Sequence, residues 1–462
     1  MKRVALGLLG VIVVLACVMI ARALMLTAPA PQPLAAKVAV DTGAVRRLAE
    51  AVRIPTITEA DAPPNLPQFL KLHELLRRSY PLTHARLLRE TVDTGALLFT
   101  WKGSDTTLAP VVLMAHQDVV PVDPGSEKDW THAPFSGDIA DSAVWGRGTL
   151  DDKLCVLGIM EATEALLASG FKPRRTLILS FGHTEEGQGH AAADAADRLK
   201  QRGITPWFVM DEGGAVGRDL LPGIPGLVAV VGVAEKGYVS LKLTAKGDGG
   251  HSSTPPRETA VSILGAAVDR VQRTPMPVKM NDALRAMIAA IAPSVPFGMR
   301  VALANMWLME PLLLRAATLD RSANALVRTT TAATMISGGV KDNVIPSSAT
   351  ATVNFRLLPG DSVAWLVRRV REIVNDPRVR VEVAEGGGSE ASHVSSDTTD
   401  AFRLIAATIR ETFGADVVAP YLVIGGTDGR QFERVSRSVY RFAPIVARRN
   451  AMGLVHGTNE RV

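Results

Sequence analysis

The chain has 462 residues, 47% hydrophobic and 21% charged, with a formal net charge of +5. That length exceeds one compact core and predicts two domains plus a leader. The small net charge, with no basic stripe interleaved with aromatics, argues against a nucleic-acid partner. Two cysteines, Cys17 and Cys155, cannot build a disulfide framework in the body.

In chain order, Lys2 and Arg3 precede an apolar run from Val4 to Ile20, close to the shortest length that spans a bilayer. Three readings fit it: a signal anchor over 1–26 with its positive flank inside, a cleaved signal peptide ending near Ala21-Arg22-Ala23, or a lipid-modified Cys17. The length favours the anchor. All three export the body, membrane-anchored in the first case and secreted in the second. Residues 27–40, which begin rich in Pro and Ala, form a linker.

Short apolar runs then end in polar clusters. Val111–Ala115 runs into His116, Leu177–Phe181 into Gly182-His183-Thr184-Glu185-Glu186, and Trp207–Met210 into Asp211. Helical patterns cover 153–168 and 188–201. This alternation predicts an α/β fold with a mainly parallel sheet, whose ligands bind beyond the carboxyl ends of the strands. From Val239 the pattern becomes alternating, and again at Ala351–Leu357 and Val379–Val383, with a helix from Val363 capped near Asp361 and Ser362. A smaller α+β lid or dimerisation domain over 237–385 is therefore inserted into a catalytic domain made of 41–236 and 386–462. A helix over Phe402–Phe413 and a strand over Val417–Ile424 restore the first style.

Residues 280–325 interrupt the insert with an apolar, helix-like segment divided by Pro293, Pro296 and Pro311. It holds more apolar surface than a small insert can bury in itself. A dimer contact or packing on the main sheet is one account. A groove for a long acyl chain is the other.

The clusters at the strand ends supply the inventory of a two-metal site: His116, Asp118, Asp151, Glu185, Glu186, Asp211 and His456. In His116-Gln117-Asp118, residues two apart share a side, so Asp118 can fix the tautomer of His116. Asp151 and Asp152 follow two glycines at a helix start, where capping is the plainer account. Adjacent Glu185 and Glu186 repel unless a cation compensates them, or else lie in a solvated loop.

The segments MAHQDVVPV, WTHAPFSG, WGRGTLDDK, FGHTEEGQG, FVMDEGG, GGHSS, KDNVIP, NFRLLPGDS and GGTDGR run in order through the body. Together they resemble the zinc carboxypeptidase and aminoacylase family that includes glutamate carboxypeptidase, succinyl-diaminopimelate desuccinylase and carboxypeptidase S, with the carboxypeptidase S branch nearest. The resemblance implies a hydrolase with two Zn²⁺ that cleaves an amide bond next to a free carboxylate. It implies that His116 and Asp211 bind one zinc, Glu186 and His456 the other, and that Asp151 bridges them, with a cis peptide before Asp152. Glu185 is implied as general base and Asp118 as the residue orienting His116. Arg356 is implied to grip the substrate carboxylate, and His251, from a partner subunit in dimeric relatives, to reach the scissile carbonyl. Asn343, Gly425, Gly426 and Thr427 are implied to line the pocket. Thr184 departs from the branch, which usually has Asp there. A non-catalytic exported binding protein, or a short-chain acylase or dipeptidase, are the competing readings.

Overall fold

The computed structural model describes residues 2–30, 32–36, 41–60, 62–187, 189–218, 220, 224, 226–447 and 453–462. The leader is one helix, Lys2–Leu24, long and apolar enough to cross a membrane, with mean hydropathy reaching 3.0. Beyond it, the Ala35 amide donates to the Glu411 carbonyl. Residues 37–40 of the expected linker, and residue 188 of the expected 188–201 helix, lie outside the described residues; that helix is observed over Ala191–Gln201.

The large sheet places Val111–His116 between Leu177–Gly182 and Phe208–Asp211, all parallel, so three apolar runs end at one edge. Val112, Val209 and Ile178 are buried, as strands covered on both faces require. The sheet is mixed, however, rather than mainly parallel. Leu88–Val92 and Ala96–Trp101 form an antiparallel hairpin, and Ala215–Arg218 runs antiparallel to Leu227–Glu235. The cause is connection length: the first hairpin turns through Asp93 and Thr94, both at positive φ, and so short a link cannot make a parallel crossover.

The smaller sheet is antiparallel, in the order Thr330–Gly338, Ser348–Leu357, Gly237–Lys246, Val379–Ser389. Val239, Leu241, Leu243 and Ala245 alternate inward and pack with Phe355 under helices Ala260–Arg273 and Val363–Val374. The second helix starts at Ser362, whose hydroxyl accepts from the Trp365 amide. The last strand runs past the expected boundary at 385. The edge strand Thr330–Gly338 was not anticipated; it carries exposed Met335 and Ile336.

The apolar segment resolves into helices Asp282–Ile291, Phe297–Ala304, Met306–Ala317 and Arg321–Val327. Pro293 and Pro296 separate the first two. Pro311 lies inside the third helix rather than ending it. Leu284 and Met287 pack against Val228, Val417 and Ala419, which fastens the segment to the large sheet.

The C-terminus closes the loop that enters helix Lys153–Ala168. Glu460, fully buried, pairs with Arg147 at 2.7 Å and accepts from the amides of Gly148 and Leu150 at 3.0 and 2.9 Å and of Asp151 at 3.3 Å. Gly148 has φ +88°, and a Cβ there would meet the Val119 side chain at 2.6 Å. Removing one partner of a buried ion pair leaves an uncompensated charge, at a cost of about 3–5 kcal/mol. Glu460→Ala should therefore lower stability by about that amount in guanidinium unfolding, with Arg147→Met/Glu460→Leu losing less. Equal losses in the single and double variants would show that the pair's charge is not what matters.

Candidate metal centre

The ring of His116 ends the central strand and is 2% exposed. Its Nδ1 lies 3.0 Å from the Asp118 carbonyl oxygen and 3.5 Å from the Asp118 carboxylate. Donation from Nδ1 to the nearer carbonyl leaves Nε2 with a free lone pair, the form a metal takes. Nε2 lies 2.9 Å from Asp151 Oδ1.

The Asp118 carboxylate has a wider task. Fully buried, it accepts from Thr58 Oγ1 at 2.5 Å and from the amides of Glu186 and Glu185 at 3.0 and 3.3 Å. It thereby ties the end of one strand to the loop after the next.

Asp151 is joined to Asp152 by a cis peptide bond. Its Oδ2 lies 3.0 Å from His456 Nε2, and Glu186 Oε1 lies 3.1 Å from the same nitrogen. Ligand atoms of His116, Asp151 and Glu212 fall within 4.8 Å of one another, as do those of Asp151, Glu186 and His456. The two groups share Asp151. Glu185 joins His116 and Glu186 in a third group of the same size.

Asp211 belongs to none of these groups. Its carboxylate accepts from the Gly429 amide and lies beside Thr427. The tandem Asp211-Glu212 explains the difference from the expected pairing of His116 with Asp211. Glu212 follows directly on the strand Phe208–Asp211, and one of these two neighbouring acids is grouped with His116. That one is Glu212.

The donor set suits a divalent cation of the zinc type: two imidazoles and several carboxylates, one of them shared. The electrostatics agree. Burial pushes the carboxyls of Glu185 and Glu212 well up, and that of Asp152 up to about 8. His456 is pushed up to about 10 by its hydrogen bonds to Asp151 and Glu186. Burial disfavours a charged His116, yet Asp118 and Asp151 hold its pKa well above the usual value. A site that forces protons onto both carboxyls and imidazoles has a deficit of positive charge.

None of the implied substrate residues belongs to these groups. Arg356, half-buried on Ser348–Leu357, stacks over Tyr238 at 4.8 Å, and among the described residues it has no ion-pair partner. Burial lowers its pKa, with Arg430 nearby adding to the effect. His251 is exposed on Gly250–His251, where its Nδ1 meets Ser253 Oγ at 2.8 Å. Asn343 is exposed next to it, its carbonyl accepting from the Ser252 amide. Gly425 and Gly426 lie open at the end of Val417–Val423. Thr427 is buried, its hydroxyl and amide both donating to Glu235, which braces the loop.

Sequence reasoning missed Glu212, Glu460 and Glu235. Glu235 is fully buried against Arg441 at 2.5 Å and carries Thr427, whose loop carries Gly429 and hence Asp211. Only the tandem acid at 211–212 offered a signal in the sequence.

Residues 112–462 match the family model described as Peptidase family M20/M25/M40. The chain is 40% identical over 423 residues to the N-fatty-acyl-amino acid synthase/hydrolase PM20D1 of Xenopus tropicalis, covering 90% of this chain and 82% of that one. It is 30% identical over 479 residues to carboxypeptidase S of Saccharomyces cerevisiae, covering 90% and 80%. In fold it is similar to the M20 family metallo-carboxypeptidase Sso-CP2 of Sulfolobus solfataricus, with TM-score 0.65 and 16% identity over 92% of this chain and 95% of that one. Human carnosine dipeptidase 1 gives TM-score 0.61 and 17% identity, covering 91% of each. The chain therefore belongs to peptidase family M20/M25/M40 and is a metal-dependent hydrolase of amide bonds.

Proposed function

We propose that the chain is a two-zinc hydrolase of N-acyl amino acids, with long acyl chains preferred, exported and held at a membrane by its N-terminal helix. The observation that carries the metal reading is the pair of three-residue groups sharing Asp151. His116, Asp151 and Glu212 would hold one zinc, with Glu212 taking the place expected of Asp211. Asp151, Glu186 and His456 would hold the other. Two bound zincs supply a water acidified toward neutrality and a polarised carbonyl.

The chain's own groups do the rest. The Glu185 carboxylate takes the proton of the attacking water and returns it to the leaving nitrogen. Asp118 holds the amides of Glu185 and Glu186, so base and ligand keep a fixed separation. Arg356, a half-buried cation without a carboxylate partner among the described residues, is suited to hold the substrate's free carboxylate by two parallel hydrogen bonds.

His251 is exposed where Gly250–His251 pairs with Val344–Ile345, and the edge strand Thr330–Gly338 of the smaller sheet exposes Met335 and Ile336. Pairing of two copies near that edge would bring His251 of the partner subunit to the scissile carbonyl, with Asn343 lining the pocket. The acyl preference draws on the likeness to the N-fatty-acyl-amino acid hydrolase and on an apolar cavity of about 160 Å³ lined by Leu284, Met287, Leu303, Leu313 and Leu314. The likeness to carboxypeptidase S supports a second reading, in which the substrate is a peptide with a free C-terminus.

Glu185→Ala should keep both zincs and lose about 10²–10⁴-fold in kcat, the usual share of a general base. Metal content and amide hydrolysis are measured on the same sample, and activity within tenfold of wild type would exclude the base role.

Glu212→Ala should release zinc at chelator concentrations that leave the wild type loaded, whereas Asp211→Asn should retain more. The reverse order would return the ligand role to Asp211.

Across a panel of acyl chain lengths, kcat/KM should rise from acetyl to long-chain N-acyl amino acids, each buried methylene adding about 0.8 kcal/mol. The corresponding amino-acid amides should be poor substrates for wild type, and no worse for Arg356→Ala. A flat profile, with dipeptides cleaved faster, would favour the peptide reading.

A further inference from the structure

The N-terminal helix divides into a free part and a part packed on the body. Val4–Val18 are exposed along their whole length. Met19 and Ala23, one turn apart, face helix Phe297–Ala304. Asn305 Nδ2 donates to the Met19 carbonyl at 3.0 Å, Arg22 Nε donates to the Ala304 carbonyl at 3.1 Å, and Ala23 is fully buried. The free part is about 22 Å long at 1.5 Å per residue, whereas the hydrocarbon core is about 30 Å thick. A spanning helix must therefore also use the turns around Met19–Leu24, which are the turns packed against the body.

Whatever touches those turns lies at the membrane boundary. The neighbouring helices Phe297–Ala304 and Met306–Ala317 bury no residue fully. They expose Phe297, Met299, Trp307, Leu308 and Leu312, with Leu312 60% and Trp307 57% exposed. Leu308 and Leu312 stand one turn apart on the same face. So much uncovered apolar surface on adjoining helices marks a contact with something apolar. A tryptophan is a favoured residue at the headgroup level, and amphipathic helices lie about 5–10 Å into that boundary.

We infer that the helical pair Phe297–Ala317 lies in the bilayer interface beside the N-terminal span, as a second membrane contact that holds the catalytic body against the lipid surface. The inference rests on the reading of Lys2–Leu24 as a membrane anchor. Its occupant is lipid because the patch adjoins the last turns of that helix, whose own length requires lipid to reach them. The body then has two fixed points on the membrane, one spanning and one shallow, and cannot swing freely about a single linker. Amphipathic substrates held in the same leaflet meet a body already at their depth.

The test uses the full chain in phosphatidylcholine–phosphatidylglycerol vesicles. An environment-sensitive fluorophore is placed on Leu312→Cys in a Cys17→Ser background. A control label goes on Thr91→Cys, exposed on the opposite edge strand of the large sheet. The label at 312 is expected to shift to the blue and to be quenched several-fold by lipids carrying a shallow nitroxide, and the label at 91 to do neither. A water-like, unquenched label at 312 on a chain that resists alkaline carbonate extraction overturns the inference while the anchor stands. A label shielded from water yet untouched by lipid nitroxides means a second copy covers the face, which also overturns it. Release of the chain by carbonate removes the anchor reading and the inference together.

Discussion

Too many carboxylates meet at one edge of the large sheet for water or hydrogen bonds to neutralise them. Asp151, Glu185, Glu186 and Glu212 converge on two imidazoles, with Asp152 buried behind them and one of its oxygens left without a hydrogen-bond partner among the described residues. Burial, with the charge of neighbouring carboxylates adding to it, drives several of these groups toward their protonated forms. Like charges at this spacing repel, and removal from water raises the cost further. A bound cation offsets this repulsion, which ties the electrostatic balance of the edge to its metal chemistry.

That constraint explains why the supporting shell is made of buried charge. Each loop that carries a candidate ligand is tied down by a carboxylate that is not itself in the metal groups. Asp118 holds the loop of Glu185 and Glu186. Glu460 holds the loop of Asp151, and Arg147 carries the restraint on to the His456 carbonyl at 3.0 Å. Glu235, paired with Arg441, holds Thr427 and through Gly429 the carboxylate of Asp211. Such pairs contribute little net stability compared with an apolar core. What they supply is position: ligands set by rigid neighbours bind metal without first being ordered.

The smaller sheet is joined to the rest of the body by a different device. Lys236, between the large-sheet strand Leu227–Glu235 and the smaller-sheet strand Gly237–Lys246, donates to the carbonyls of Ala325 and Arg328, where the apolar helices return to the smaller sheet. Burial pushes its pKa down to about 7, with Arg356 adding to the effect. Arg356, Lys236 and the apolar helices are thus neighbours. The same helices pack on the large sheet through Leu284 and Met287, so they belong mechanically to the catalytic domain although the chain reaches them through the insert.

What could be read from the sequence was whatever depends on local pattern. Three apolar runs ending in His116, Gly182–Glu186 and Asp211 announced buried strands with chemistry at their carboxyl ends, because a strand covered on both faces leaves polar groups nowhere else to go. Alternation at 239–245 and 351–357, and the Ser362 cap, were equally legible, since period and capping are properties of a few adjacent residues. What only the tertiary structure decided was which of two neighbours faces the site and which distant residue supports it. Asp211 and Glu212 are equivalent as a pair of letters; the rotation of one strand end against His116 separates them. Glu460 and Glu235 lie far in sequence from Asp151 and Thr427, so no local period could connect them. The antiparallel flanks, the helix that continues through Pro311 and the edge strand at 330–338 likewise follow from pairing and packing with remote segments. Local pattern determines which face of an element is buried; only the assembled chain determines what that face meets.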